Sequence, residues 1–323
     1  MSDYKSTILI TGGTAGIGLE AAKRIAAARP DSRIIISSRT DPSAAATTIN
    51  KELGQSNVVF IPLDLTSNES VRSFCTALTS SYPAPISTLV LNAGIQVRTG
   101  ISYSADGVET TFAANHVGHA LLLFLLAPHL TKDARIVITS SGTHFLPEEE
   151  KTGMPAPDYT TAERLAHPDA EEEKLPGPQR YSTSKLVNML WTLALAQHFS
   201  ELGRSWTVNA FDPGLVPGTG LARDASAILR FIWKHIFPRV LPILRILSGT
   251  NNIHTPQESG ANLARLATGE DVRGVTAKYF EGAEVRTSSK ISFDVEKQKD
   301  LWSWTLNFVS RTPAEKDKFA RFA

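Results

Sequence analysis

The sequence predicts an α/β fold, a doubly wound parallel sheet in a single domain, and three features predict it. Short runs rich in Val and Ile recur without polar alternation, as in strands covered on both faces. They alternate with helical patterns for most of the length. The first run ends in a glycine-rich turn that leads into an Ala-rich helical pattern. Strands are expected at 7–10, 33–37, 58–61, 88–91, 135–138 and 207–210, and helices near 17–29, 43–53, 67–80, 105–131 and 181–203. Thr66 followed by Glu69 reads as a capping box for the third helix.

Two segments break this rhythm. Residues 146–180 carry six prolines and nine acidic residues against four basic ones, which reads as a solvated excursion with a short helix near 161–165. Residues 221–253 mix apolar and basic side chains around Pro238 and Pro242 and read as helical pieces over the mouth of the sheet. The expectation is one domain, 1–323, with two insertions.

Bulk chemistry excludes several classes. The 33 Lys and Arg against 32 Asp and Glu leave a net charge of +1, so no basic excess points to nucleic acid. Cys75 is the lone cysteine, which excludes an internal disulfide framework and reads as a small packing residue. The N-terminus shows no charged lead into a long apolar run, so a soluble, cytoplasmic protein is expected. The greasiest stretch, 225–247, is interrupted by Arg230, Lys234, Arg239, Arg245 and two prolines. A membrane-spanning helix needs about twenty mostly apolar residues. Contact with a membrane surface is a weaker rival reading.

The first turn reads Thr11-Gly12-Gly13-Thr14-Ala15-Gly16-Ile17-Gly18. Missing side chains let backbone approach a pyrophosphate, and the following helix offers free N–H groups and the positive end of its dipole. Its place between a predicted strand and a predicted helix gives the motif its meaning. The spacing of Gly12, Gly16 and Gly18 is G-x3-G-x-G, and it resembles the TGxxxGxG pattern of the short-chain dehydrogenase/reductase family. The rest of that family's ordered signature follows. Asn92-Ala93-Gly94 comes after the fourth strand, Asn115 on the next helix, Ser141 after the fifth strand, Tyr181 with Lys185 on a helix, and Asp212-Pro213-Gly214 after the sixth strand. The match covers about residues 6 to 220. It implies a Rossmann-type fold and a nicotinamide dinucleotide.

The second strand ends in Ser38-Arg39, where an acidic side chain would bind the ribose of NAD and an arginine can hold the 2′-phosphate of NADP. NADP(H) is therefore expected, with Asp41 read as a turn residue before Pro42. The cradle residues are Gly12, Thr14, Gly16, Ile17 and Gly18. By resemblance Asp64 and Leu65 flank the adenine, the Asn92-Ala93-Gly94 backbone lies along its ribose, and Pro213, Gly214, Val216 and Thr219 reach the nicotinamide side.

Tyr181 and Lys185 are four apart and share a helix face. A nearby ammonium, with the positive nicotinamide ring of the oxidised cofactor, stabilises the phenolate and brings its pKa down, so Tyr181 is expected to act as general acid or base. Ser141, rather than Ser140, is expected to hydrogen-bond the substrate oxygen. In the family the lysine also holds the nicotinamide ribose, and the asparagine, here Asn115, anchors a water of the proton relay. Between Ser141 and Tyr181 lie 39 residues, more than typical relatives have. This length, the Asn115-His116-x-Gly118-His119 string and the 213–221 string look like the retinol dehydrogenase and protochlorophyllide reductase branch.

His144, three residues past Ser141, is a substrate-contact candidate beside Ser141 and Tyr181. His116 and His119 read as packing residues, and no tight metal-ligand spacing occurs in the sequence. Phe231, Trp233 and Phe237 divide evenly between pocket lining and core, while Trp302, Trp304 and Phe308 read as core. The expected partner is a bulky, partly hydrophobic carbonyl or alcohol, such as a secondary metabolite; a homodimer stays open. The rival readings are a non-catalytic NADP(H) sensor on the same fold and a sugar-nucleotide epimerase. The intact tyrosine, lysine, serine and asparagine weigh against the first, and the glycine spacing weighs against the second.

Overall fold

The computed structural model describes residues 4–217 and 252–323. The strands are β1 (Ser6–Thr11), β2 (Ser32–Ser38), β3 (Val58–Pro62), β4 (Ile86–Leu91), β5 (Leu130–Thr139), β6 (Thr207–Asp212), β7 (Tyr279–Glu281) and β8 (Glu284–Arg286). Among the described residues they form one sheet in the order β3-β2-β1-β4-β5-β6-β7-β8. The first seven run parallel, and β8 turns back antiparallel against β7. The expected doubly wound Rossmann-type sheet is present. The chain winds outward from β1 to β3, then crosses to β4 on the other side of β1. That reversal opens a crevice at the carboxyl ends of β1 and β4.

Period-two placement explains why these strands lack polar alternation. Ile8, Ile10, Ile34 and Ile36 pack on one face, beneath α1 (Gly16–Ala28) and α8 (Pro256–Thr268). Leu9, Ile35, Leu89 and Leu91 pack on the other, against α3 (Asn68–Ser81), α5 (Gly118–Leu126) and α7 (Gly177–Glu201). The inner strands are apolar on both sides because each side has its own helical layer.

Several boundaries differ from expectation. The cap of α3 is Ser67, whose hydroxyl accepts from the Ser70 N–H, while the Thr66 hydroxyl donates to Asp64 Oδ1 at 2.7 Å. The expected 105–131 helix runs from Thr110 to His129. It starts at α4 (Thr110–Phe112), with Glu109 accepting from the Phe112 N–H, passes through a π turn (Ala113–Val117) and continues as α5. This helix is long and apolar enough to cross a membrane, but its faces are buried in the core. Gly118 is required there, because a Cβ would lie 2.2 Å from the Leu65 carbonyl oxygen.

The 146–180 segment is not merely a solvated excursion. Thr161 caps α6 (Ala162–Ala166), close to the short helix expected. Around it, Tyr159, Ala162 and Ala166 are buried in the core. The Tyr159 hydroxyl and the Ala162 N–H both donate to Asp300 Oδ2, each at 2.7 Å. Asp300 belongs to α9 (Val295–Val309), which precedes α10 (Pro313–Arg321). On α9, Trp302 packs into the core with Trp191 and Phe124, whereas Trp304 and Phe308 stack on each other half-buried. Phe231, Trp233, Phe237 and the 225–247 stretch lie outside the described residues.

Candidate active site

A cleft of about 1380 Å³ opens at the carboxyl ends of β1 to β6. One end is the glycine turn after β1. Gly12 and Gly16 have φ of +68° and +54°, and a Cβ on Gly12 would sit 3.0 Å from Ala93 Cα. At Gly18 a Cβ would meet the Gly12 carbonyl oxygen at 2.3 Å, so only glycine lets α1 pack against the turn. The helix starts at Gly16 with no side-chain cap and no acidic residue in its first turn. Ala15, Gly16, Ile17 and Gly18 all line the cleft, so the helix presents its N-terminus to it. The cradle fits an anion such as a pyrophosphate.

Thr11 ties this turn to β4. Its hydroxyl accepts from the N–H groups of Asn92 and Ala93 at 2.9 and 3.0 Å, and Asn92 Nδ2 donates to the Thr11 carbonyl at 3.0 Å. Farther out, the Thr14 hydroxyl donates to Ser38 Oγ at 2.8 Å, and exposed Arg39 stands at the rim. Asp64 and Leu65 line the wall after β3, with Asn92, Ala93 and Gly94 after β4 and Pro213, Gly214 and Val216 after β6. The cleft thus gathers the expected dinucleotide contacts from five strand ends. Thr219 lies outside the described residues.

The far end of the cleft holds the polar set. Ser141 and Tyr181 both line this end of the cleft, close enough for the serine to favour the Tyr181 phenolate. The Lys185 ammonium lies 5.4 Å from the centre of the Tyr181 ring and donates to the Thr139 carbonyl at 3.0 Å. Both serines line the cleft, but Ser140 is buried with its hydroxyl donating to the Lys185 carbonyl at 2.9 Å, while Ser141 is only half-buried. Burial brings the Lys185 ammonium down to about 8, opposed by the nearby Asp212 carboxylate, so it is mostly charged at pH 7.

Burial pushes the Tyr181 phenol up, the Asp212 charge adds to that, and the nearby Ser141 acts the other way. The protein's own groups thus favour the protonated phenol.

Asn115 sits in the π turn, with its side chain directed away from the open cleft. Its Oδ1 accepts from the Ile95 N–H at 2.8 Å, and its Nδ2 donates to the Ile95 carbonyl and the Ser184 hydroxyl at 3.0 and 2.9 Å. It staples the loop after β4 to α7. The π turn makes the register in which it can do so, a geometry common at functional sites.

His144 is a correction. It is fully buried and off the cleft: Nδ1 donates to the Ser141 carbonyl at 2.6 Å, and Nε2 accepts from the Ser289 N–H at 3.1 Å. Both ring nitrogens are engaged, so it has nothing left for a substrate; it braces the serine. His116 and His119 are buried packing residues, bonded to the Thr305 and Thr11 hydroxyls.

Some cleft residues were missed from the sequence. Glu149, Glu150, Lys151, Thr152 and Met154 of the insertion line the mouth. Arg286 of β8 pairs with Glu150 at 3.1 Å and with Glu281, and stacks over Phe145. No motif marks the contacts of Arg286 with Glu150 and Phe145, because each joins segments more than a hundred residues apart. Asp212 was legible in the Asp-Pro-Gly string, but only the fold places its carboxylate beside Tyr181 and Lys185.

Comparison with known proteins bears on this arrangement. The short chain dehydrogenase family model matches residues 6–153, and an AcuH dehydrogenase domain model matches residues 221–317. Short-chain dehydrogenase TIC 32 B, chloroplastic, of Brassica napus is 32% identical, over 95% of this chain and 89% of that protein. Retinol dehydrogenase 14 of Mus musculus is 30% identical, over 93% and 84%. Polyprenol dehydrogenase of Homo sapiens is 28% identical, over 91% and 82%. Among solved structures, a short chain dehydrogenase from Burkholderia cenocepacia J2315 in complex with NADP superposes with a TM-score of 0.60 at 22% identity, over 88% of this chain and 99% of that one. Ordered motifs, sheet topology and full-length similarity agree: the chain belongs to the short-chain dehydrogenase/reductase family, in its retinol dehydrogenase-like branch.

Proposed function

We propose that this protein is an NADP(H)-dependent oxidoreductase that moves a hydride between the nicotinamide and a carbonyl or secondary alcohol of a bulky, partly hydrophobic small molecule. The observation that carries the reading is the meeting of Ser141, Tyr181 and Lys185 in the same cleft that ends in the glycine cradle. When bound, the dinucleotide supplies or accepts the hydride. The N-terminus of α1 would hold its pyrophosphate, and Arg39 with the Thr14–Ser38 hydroxyl pair would meet a 2′-phosphate. The neutral Ser38, where an acid would favour NAD, supports the NADP preference.

Tyr181 gives its proton to the substrate oxygen as a carbonyl becomes an alcohol, and takes it back in the reverse direction. Ser141 donates to the same oxygen while negative charge builds there. The Lys185 ammonium offsets the charge left on the phenol once the proton has gone. Asn115 holds the strand-end loop and α7 in register and carries the relay that restores the proton. Relatives named for retinol and polyprenol support a long apolar alcohol or its carbonyl as substrate.

The test is consumption of NADPH and of NADH with a panel of ketones, quinones and long-chain aldehydes. NADPH is expected to exceed NADH by at least about tenfold. Tyr181→Phe is expected to lower kcat/KM by about 10²-fold or more while dinucleotide affinity stays within about threefold. Equal turnover by the variant would take Tyr181 out of the mechanism, and dinucleotide binding without any turnover in the parent would leave a cofactor-binding sensor as the better reading.

A further inference from the structure

Asp212 ends β6 with 1% of its surface exposed, in the cleft wall that also carries Tyr181 and Lys185. Three neutral donors hold its carboxylate. The Tyr279 hydroxyl donates to Oδ2 at 3.0 Å, Asn252 Nδ2 donates to Oδ2 at 2.8 Å, and the Gly214 N–H donates to Oδ1 at 2.9 Å. Neutral donors stabilise a carboxylate without cancelling its charge. Gly142 keeps the approach to it clear, since a Cβ there would lie 3.3 Å from Oδ2.

The ionisable groups facing Asp212 come from each element packed around it. They are Lys185 and Tyr181 of α7, Tyr279 and Glu281 of β7, and His144 after β5. Glu150 of the insertion approaches Gly142 from the same side and is paired with Arg286 of β8. Lys185 is the cation of the group, and its ammonium donates to the Thr139 carbonyl. A negative charge therefore stands in the wall of the reactive end.

We infer that Asp212 sets which redox state of the nicotinamide this cleft prefers, holding the oxidised, positively charged ring more tightly than the neutral reduced one. A fixed charge in a wall with little water stabilises a cation and has no comparable effect on a neutral ring. Tighter binding of the oxidised form makes the bound reduced form a stronger hydride donor. This rests on the oxidoreductase reading above and adds a direction to it, toward carbonyl reduction. The same charge favours the protonated phenol at Tyr181, the form that reduction consumes.

The experiment is calorimetric titration of the full chain with NADP+ and with NADPH, for the parent, Asp212→Asn, Asp212→Ser and Tyr279→Phe. Each neutral variant is expected to lower the affinity for NADP+ relative to NADPH by about tenfold. Asp212→Ser supplies the comparison if the asparagine variant does not fold. Tyr279→Phe removes one hydrogen bond and keeps the charge, so its ratio is expected to stay within about twofold of the parent. If the parent binds both forms and the neutral variants weaken them equally, the inference falls and the oxidoreductase reading stands. An equal fall of the ratio in Tyr279→Phe would assign the effect to lost packing and overturn the inference too. If the parent binds neither dinucleotide, both readings fall together.

Discussion

His144 is neutral because of where its two nitrogens go: one donates to the Ser141 carbonyl, the other accepts from the Ser289 N–H, and no face of the ring meets water. Burial brings its pKa down to about 4, and likewise brings His116 to about 3 and His119 to about 4. The unfolded chain takes up protons at these residues below about pH 6.5, while the folded chain resists until about pH 4. Their contribution is therefore fully present above pH 6.5 and is lost as pH falls toward 4. Urea unfolding at pH 7, 6 and 5 is expected to show a loss on the order of 1 kcal/mol per pH unit for each histidine. A flat profile would contradict their burial as neutral rings. The sequence marks His144 by its nearness to Ser141 but not its role, because that depends on Ser289, a partner from the far end of the chain. Ser141, Tyr181 and Lys185 were legible for the opposite reason. They stand in the order of the resembled family's motifs, and that joint order lifts them above an ordinary strand-end serine and an ordinary Tyr–Lys pair.

The glycine turn and α1 act as one element, and its fit is tight enough to test. A Cβ on Gly18 would press on the Gly12 carbonyl oxygen at 2.3 Å and on Asn92 Nδ2 at 2.7 Å. The first of these is backbone, so α1 must back away from the turn. Gly18→Ala is expected to cost about 1–3 kcal/mol of stability and to weaken dinucleotide binding by at least about tenfold. Gly54, at the end of α2 (Ala45–Leu53), separates strain from clash: its φ is +63° and nothing lies within 4 Å of a Cβ there. Gly54→Ala is expected to lower stability by about 1 kcal/mol and leave dinucleotide affinity unchanged. Thermal melts with and without dinucleotide read both effects, and equal losses of affinity would deny the cradle its role. The inner long strands were readable because they are apolar on both faces. The three-residue β7 and β8 were not, since so short a run has no period to detect. The cap of α3 was misplaced by one residue, because Thr66 and Ser67 are equally good caps in sequence and only the bond from Thr66 to Asp64 decides between them.

At the scale of the whole molecule, the cleft is assembled from both ends of the chain, and the insertion is the part that depends most on remote support. Its Glu149–Met154 stretch lines the mouth, while a few residues on, Tyr159 and Ala162 are fastened to Asp300 of α9 through one shared carboxylate oxygen. A composition rich in proline and acid suggested solvent on all sides, but composition does not report two donors that find a single acceptor 138 or more positions away. Removing that acceptor strands a buried phenol and a backbone N–H, at about 1–3 kcal/mol for each unpaired group. Asp300→Ala is thus expected to lower the melting temperature and to speed amide exchange across residues 150–166 before any other region. It should raise the KM for the carbonyl substrate while NADPH affinity stays the same, because the glycine cradle lies at the other end of the cleft. Asp300→Asn keeps one acceptor oxygen and is expected to recover most of both losses. Uniformly faster exchange, or a loss of NADPH affinity equal to the rise in KM, would show that α9 supports the whole sheet and does not specifically hold the insertion over the substrate end.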